Sequence, residues 1–198
     1  MGRVLSGQSE IAFQQWQKAH DLFAEFDRRV PRYAPAQYAL GWLDRKLNRP
    51  EEARRHIEQS LALDPNLNDA RCELAELQVA SGEPAIAEEN LKRVLVAQPG
   101  HVNASLSLGD IRMHENKFDE ARQLYEQAIR SDPKSGPGHY KLSIVLVRQH
   151  QQERAATERA AGIELNAEAL RASKTVLRLA EPDGRLLSEG SGDGKTIP

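Results

Sequence analysis

The stretch from Ala34 to Leu67 returns in phase 34 residues later, and then again. Leu40-Gly41 becomes Leu74-Ala75, then Leu108-Gly109, then Leu142-Ser143. Ala53 becomes Ala87, Ala121 and Ala155; Ile57 becomes Leu91 and then Tyr125; Pro65 becomes Pro99 and then Pro133. A period of this size marks a repeat array, in which one unit cannot bury its apolar face alone and needs its neighbour. This constrains the chain to an all-α stack of antiparallel helix pairs.

Within each unit the first helix sets Leu beside a small residue, so that a partner helix can approach closely. The turns fall at Asn48-Arg49-Pro50, Ser81-Gly82-Glu83-Pro84 and Glu115-Asn116-Lys117. Asn or Gly just past a helix end suits a left-handed residue. Pro50 and Pro84 sit in the first turn of the second helix, where a missing N–H is harmless. Asp64-Pro65, Gln98-Pro99 and Asp132-Pro133 end that helix, because the residue before proline resists the helical region.

The phase divides the chain. Residues 1–8 read as a flexible N-terminus. Residues 9–33 read as an N-terminal helix, part of an earlier repeat, with Ser9 as N-cap and Ala19, Phe23 and Pro31 in repeat phase. Full repeats span 34–67, 68–101 and 102–135. A degenerate fourth covers 136–166, with Arg159 where Ile57 stood and Ala167 in place of the proline. A capping helix is expected over 167–181, with Leu170, Val176, Leu177 and Leu179 covering the last repeat. Residues 182–198, rich in Gly and Ser, read as a flexible tail.

The recurring residues resemble the tetratricopeptide repeat, a helix–turn–helix with Leu-Gly early, Ala in the middle, a large residue four later and a closing Pro. The resemblance covers 34–166 well and 9–180 loosely. The family's first aromatic is missing, with Gln37, Arg71, Ser105 and His139 in its place, and so is its later tyrosine, with Asp44, Gln78, Arg112 and Leu146 there. The resemblance implies a right-handed superhelix whose first helices line a groove that takes a peptide or protein. By phase the groove-facing candidates are Tyr38, Trp42, Arg45 and Lys46 in unit one, Asp69 and Glu76 in unit two, Asn103, Asp110 and Met113 in unit three, and Tyr140, Ile144 and Arg148 in unit four. The lining reads aromatic and basic at one end, acidic in the middle and apolar at the far end. Trp42 and Tyr140 are either anchors for a partner or packing between units, and the sequence leaves both open.

Two groove chemistries of the family do not fit. A clamp for chaperone C-terminal carboxylates would meet Tyr38, Trp42, Glu73, Asn103 and Ser107, and Glu73 repels a carboxylate. An asparagine ladder is replaced by Ala39, Glu73, Ser107 and Lys141.

Catalytic, cofactor and metal residues are expected to be none. The six histidines fall in no metal-ligand spacing. The tail run Gly190 to Thr196 resembles a phosphate loop, but Glu189 replaces the first glycine and too little chain follows for a helix. The single cysteine, Cys72, allows no internal disulfide, has no basic neighbour in sequence to activate it, and is placed at the groove or an interhelical seam. A net charge of -2 gives no argument for nucleic acid. No long apolar run or signal pattern is present, so a membrane is not expected and a soluble, cytoplasmic setting is favoured. The reading is a non-catalytic interaction scaffold, with the accessory region of a larger enzyme, secretion or assembly factor as alternative, and self-association through an exposed repeat face as a further possibility.

Overall fold

The computed structural model describes residues 7–179. Among them it shows helices and no strand: α1 Gly7–Arg29, α2 Ala34–Lys46, α3 Pro50–Leu63, α4 Asn68–Ala80, α5 Pro84–Ala97, α6 Val102–His114, α7 Phe118–Ser131, α8 Gly136–Arg148 and α9 Gln152–Leu179. Each helix packs on its neighbour in sequence, and α4 also touches α6, as α6 touches α8. The result is an all-α helical-repeat superhelix.

The turns obey the period more strictly than the residue types do. Asn48, Gly82, Asn116 and His150 all take positive φ, at 59°, 80°, 60° and 58°. The amide just before each second helix then bonds back into the first: Arg49 to Asp44 O at 2.9 Å, Glu83 to Gln78 O at 2.8 Å, Lys117 to Arg112 O at 2.9 Å and Gln151 to Leu146 O at 2.9 Å. These bonds satisfy carbonyls that a helix end leaves without a partner.

Between the helices, Ala53, Ala87 and Ala121 are fully buried, as are Ile57 and Leu91, with Tyr125 2% exposed. Each large side chain of this set stabilises by about 1.5–3 kcal/mol through burial. The small residue of the first helix is what admits it. A Cβ on Gly41 would sit 2.5 Å from Ile57 Cγ1, and one on Gly109 would overlap the Tyr125 ring.

The slot where the family pattern has its later tyrosine holds paired polar groups instead. Asp44, 1% exposed, takes His56 Nδ1 at 2.6 Å and His20 Nε2 at 3.1 Å. Asn90 Nδ2 donates to Gln78 Oε1 at 2.9 Å. Arg112, also buried, donates to Glu88, Glu115 and Glu120. A buried polar group is tolerated when it is hydrogen-bonded, and here each of these is.

Both ends differ from the sequence reading. Helix α1 is already running at Gly7, so residues 7 and 8 are not a flexible lead and Ser9 is not its cap. At the other end α9 continues unbroken through Asn166 and Ala167, so the separate helix expected from 167 is the continuation of the fourth repeat's second helix. Without a proline at 167 nothing removes the helical hydrogen bonds there. Leu170 is 58% exposed, so it is not buried as a cover of the last repeat would be. Residues 1–6, the tail with its phosphate-loop-like run, and the side chains of Val176, Leu177 and Leu179 lie outside what is described. Among the described residues no helix is long and apolar enough to cross a membrane.

Candidate partner-binding groove

The inner faces of α4, α6 and α8 enclose a hollow of about 870 Å³. Of the residues read as groove-facing, Glu76, Asn103, Asp110, Met113, Tyr140, Ile144 and Arg148 line it. Tyr38, Trp42, Arg45, Lys46 and Asp69 lie outside it. Residues that the phase did not single out, Ser107, Lys141 and Asn166, complete the wall.

The acidic middle is not free charge. Arg45 Nη1 reaches Glu76 at 2.9 Å and its Nε lies 2.6 Å from Glu73, so this guanidinium ties unit one to unit two. Lys141 Nζ lies 2.6 Å from Asp110 Oδ2, tying unit four to unit three. Tyr125 donates to the same Asp110 at 2.9 Å from beneath, and burial beside that carboxylate pushes its phenol upward. Ser107 adds a bond to Glu76 at 3.3 Å. The acidic middle is thus tied across units: Asp110 is paired with Lys141, while Glu76 shares Arg45 with Glu73, at separations that sequence neighbourhood does not show.

Beyond Asp110 the wall turns apolar. Tyr140 is 45% exposed, Met113 and Ile144 are half-buried, and Leu106 is buried. Exposed at the rim beside them are His114 and Arg148. Among the described residues Arg148 makes no ion pair, so it is a cation of the hollow without a carboxylate of its own.

At the opposite end, Lys46 Nζ stands 5.0 Å over the Trp42 ring and shields it. Tyr38 packs against the apolar cluster around Ile57, and burial, with Glu73 and Asp69 nearby, pushes its phenol up to about 12.

Cys72 stands in a constellation that resembles a nucleophilic one. Its Sγ lies 3.9 Å from His101 Nδ1, and His101 Nε2 lies 3.2 Å from Asp69. The chemistry runs the other way. His101 Nδ1 accepts the Ala104 amide at 3.2 Å as the N-cap of α6, so its lone pair is occupied. The thiol is 3% exposed, and burial together with Asp69, Glu76 and Glu73 pushes it up to about 12. A thiol held that high forms little thiolate. Among the described residues no three His, Cys, Asp or Glu gather to hold a metal.

Comparisons with known proteins agree with this architecture. Models of the tetratricopeptide repeat match residues 34–67 and 72–136, together half of the chain. The uncharacterized protein y4yS of Sinorhizobium fredii is 29% identical over 99 residues, which are 50% of this chain and 54% of that protein; the match spans about half of the relative's length. Among solved structures, the thermophilic TPR protein TTC0263 of Thermus thermophilus superposes with a TM-score of 0.70 at 19% identity, covering 86% of this chain and 95% of that one. MamA of Desulfovibrio magneticus RS-1 gives 0.59 at 18% identity, covering 83% and 98%. A chain of the APC/C hetero-tetramer Cut9-Hcn1 gives 0.71 at 19% identity, with 77% of this chain covered and 29% of that one. At such identities the likeness is one of fold. From the recurring small–large crossings, the in-phase turns and the matching repeat models, the chain belongs to the tetratricopeptide repeat family.

Proposed function

We propose that this chain is a non-catalytic interaction scaffold that holds an extended, acidic peptide with a large apolar side chain in the hollow of α4, α6 and α8. The observation that carries this is the charge balance of the wall. Asp110 is matched by Lys141 and Glu76 shares Arg45 with Glu73, whereas among the described residues Arg148 makes no ion pair and stands next to Tyr140, Ile144 and Met113. An apolar side chain of the ligand seats among those three, and a neighbouring carboxylate meets Arg148, where electrostatic complementarity selects for sign. Tyr140 and Arg148 are of the residue types that dominate binding energy. Trp42, Tyr38, Lys46 and Asp69 have no part in this contact, and Arg45 serves by tying Glu76 to the first unit. The typical role of the fold supports the absence of catalysis, as does the buried thiol of Cys72. Glu73, in the place where a chaperone-tail clamp would need a carboxylate-binding group, argues against that ligand.

A peptide array paired with fluorescence anisotropy tests the reading. Acidic peptides with one aromatic or leucine should bind, and the same peptides with lysine in place of each acid should not. Arg148→Glu should weaken the acidic peptides by about tenfold or more, or ~1.4 kcal/mol. Tyr140→Ala should weaken both. Equal binding of acidic and basic peptides, or indifference to both substitutions, would remove the basis for this assignment.

A further inference from the structure

The first helices carry two rows whose spacing says more about a ligand than its charge does. Among the described residues of α2, α4, α6 and α8, the large apolar side chains left exposed are Val79, Tyr140 and Val147, at 37%, 45% and 43%. Val79 and Val147 share one repeat phase, with the half-buried Met113 between them. Helix α4 touches α6 and α6 touches α8, so the three side chains form a row across neighbouring units. Val79 and Met113 line the hollow, and Val147 continues the row on α8. One residue further on, the same phase holds Ala80, His114 and Arg148, of which His114 and Arg148 are exposed and line the hollow. Single exposed apolar groups need no explanation, but a row that recurs in phase beside nitrogen-bearing side chains does.

We propose that the groove reads its ligand with a period of three residues: a polyproline-II segment of apolar, acidic and free positions in turn. This rests on the reading of the hollow as a site for an extended acidic peptide and adds its register. Packed helices stand roughly 8–10 Å apart, which sets the spacing of the row. A polyproline-II chain turns once in three residues and advances about 9.3 Å, so every third side chain faces the same way at that spacing. A β-strand returns a side chain to one face every second residue, at about 6.6 or 13 Å, and misses the row. An α-helix returns after seven residues, at about 10.5 Å. It is too bulky, because a helix long enough to cover three units fills about 1,300 Å³ or more, against a hollow of about 870 Å³. Polyproline-II presents three faces. One lies on Val79, Met113 and Val147, the next brings its acids to His114 and Arg148, and the third points to solvent. Proline at that third position fixes the backbone that the groove reads.

Fluorescence anisotropy with labelled peptides of one composition tests the register. Peptides of about nine residues carry leucine, aspartate and alanine, with leucine at every third, every second or every fourth place. The period-three peptide should bind the wild type about tenfold tighter than either rearrangement. Proline in place of each alanine should hold or raise that affinity. Val79→Asn and Val147→Asn should each weaken the period-three peptide several-fold, with unchanged circular dichroism, and leave the rearranged peptides as they were. Should either disturb the fold, Val79→Thr and Val147→Thr, which keep the side-chain shape, make the same test. Equal binding of the three arrangements overturns the register; if Arg148→Glu still weakens them all, the acidic-peptide reading stands without it. Loss of binding on proline substitution overturns the polyproline-II form and the proposal with it. Absence of binding by every acidic peptide overturns both readings.

Discussion

Four residues in the same phase, Asn48, Gly82, Asn116 and His150, bear the same left-handed backbone with very different ease. Glycine adopts it freely and asparagine tolerates it, whereas histidine carries the cost of its Cβ against the following carbonyl. His150→Gly should therefore raise stability by about 0.5–1 kcal/mol, read as a rise in the urea midpoint at constant slope. Gly82→Ala should move the midpoint the other way. A second residue-scale prediction concerns Gly109. A methyl there overlaps the Tyr125 ring, and displacing the ring also breaks its bond to Asp110 under the groove. Gly109→Ala should cost about 1–3 kcal/mol by overpacking, and it should weaken peptide capture in the same anisotropy assay. A variant with unchanged melting would mean the crossing is looser than its geometry indicates.

At the scale of the helix, the polar slots show which part of a family pattern is chemical and which is geometric. The place asks only for a group that fills the slot and finds a partner, and Asp44, Gln78 and Arg112 each do so. Arg112 draws Glu88 from the preceding unit, and hydrogen bonds from Arg112 and Lys92 hold that carboxyl down at about 2 against its ordinary 4.5. A carboxylate with a lowered native pKa contributes stability that is fully present above its unfolded value and lost as pH falls through the native one. Between pH 4.5 and about 2, then, the wild type should lose stability more steeply than Glu88→Gln. Urea midpoints across that range measure it; parallel curves would show that the pair contributes nothing. The period made the slot visible in the sequence as four departures from one pattern. It could not show the partners, because Glu88 lies 24 residues away from Arg112 and in another unit.

Over the whole molecule, stability in such a stack is a sum of unit terms and nearest-neighbour interfaces. Helices α4 to α7 have neighbours on both sides and contribute to the largest buried clusters, whereas among the described residues of α1 Phe23, Phe26 and Val30 are exposed. Native-state hydrogen exchange should accordingly be slowest in α4–α7 and fastest in α1 and in α9 beyond Asn166. Uniform protection would contradict the additive picture. The sequence by itself determined the period, the all-α class, the turn positions and the small–large crossings, because each is written in residues a fixed distance apart on one helix or one turn. The left-handed backbone at His150 falls 34 residues after Asn116, but a histidine there gave no turn signal, and the structure supplied it. Only the tertiary structure decided that the fourth repeat's second helix runs on past Ala167 and which charges in the groove are paired with each other. Those properties depend on side chains roughly a full repeat apart being brought within 3 Å, as Lys141 is to Asp110 and Arg45 to Glu76, and local pattern holds no record of such distances.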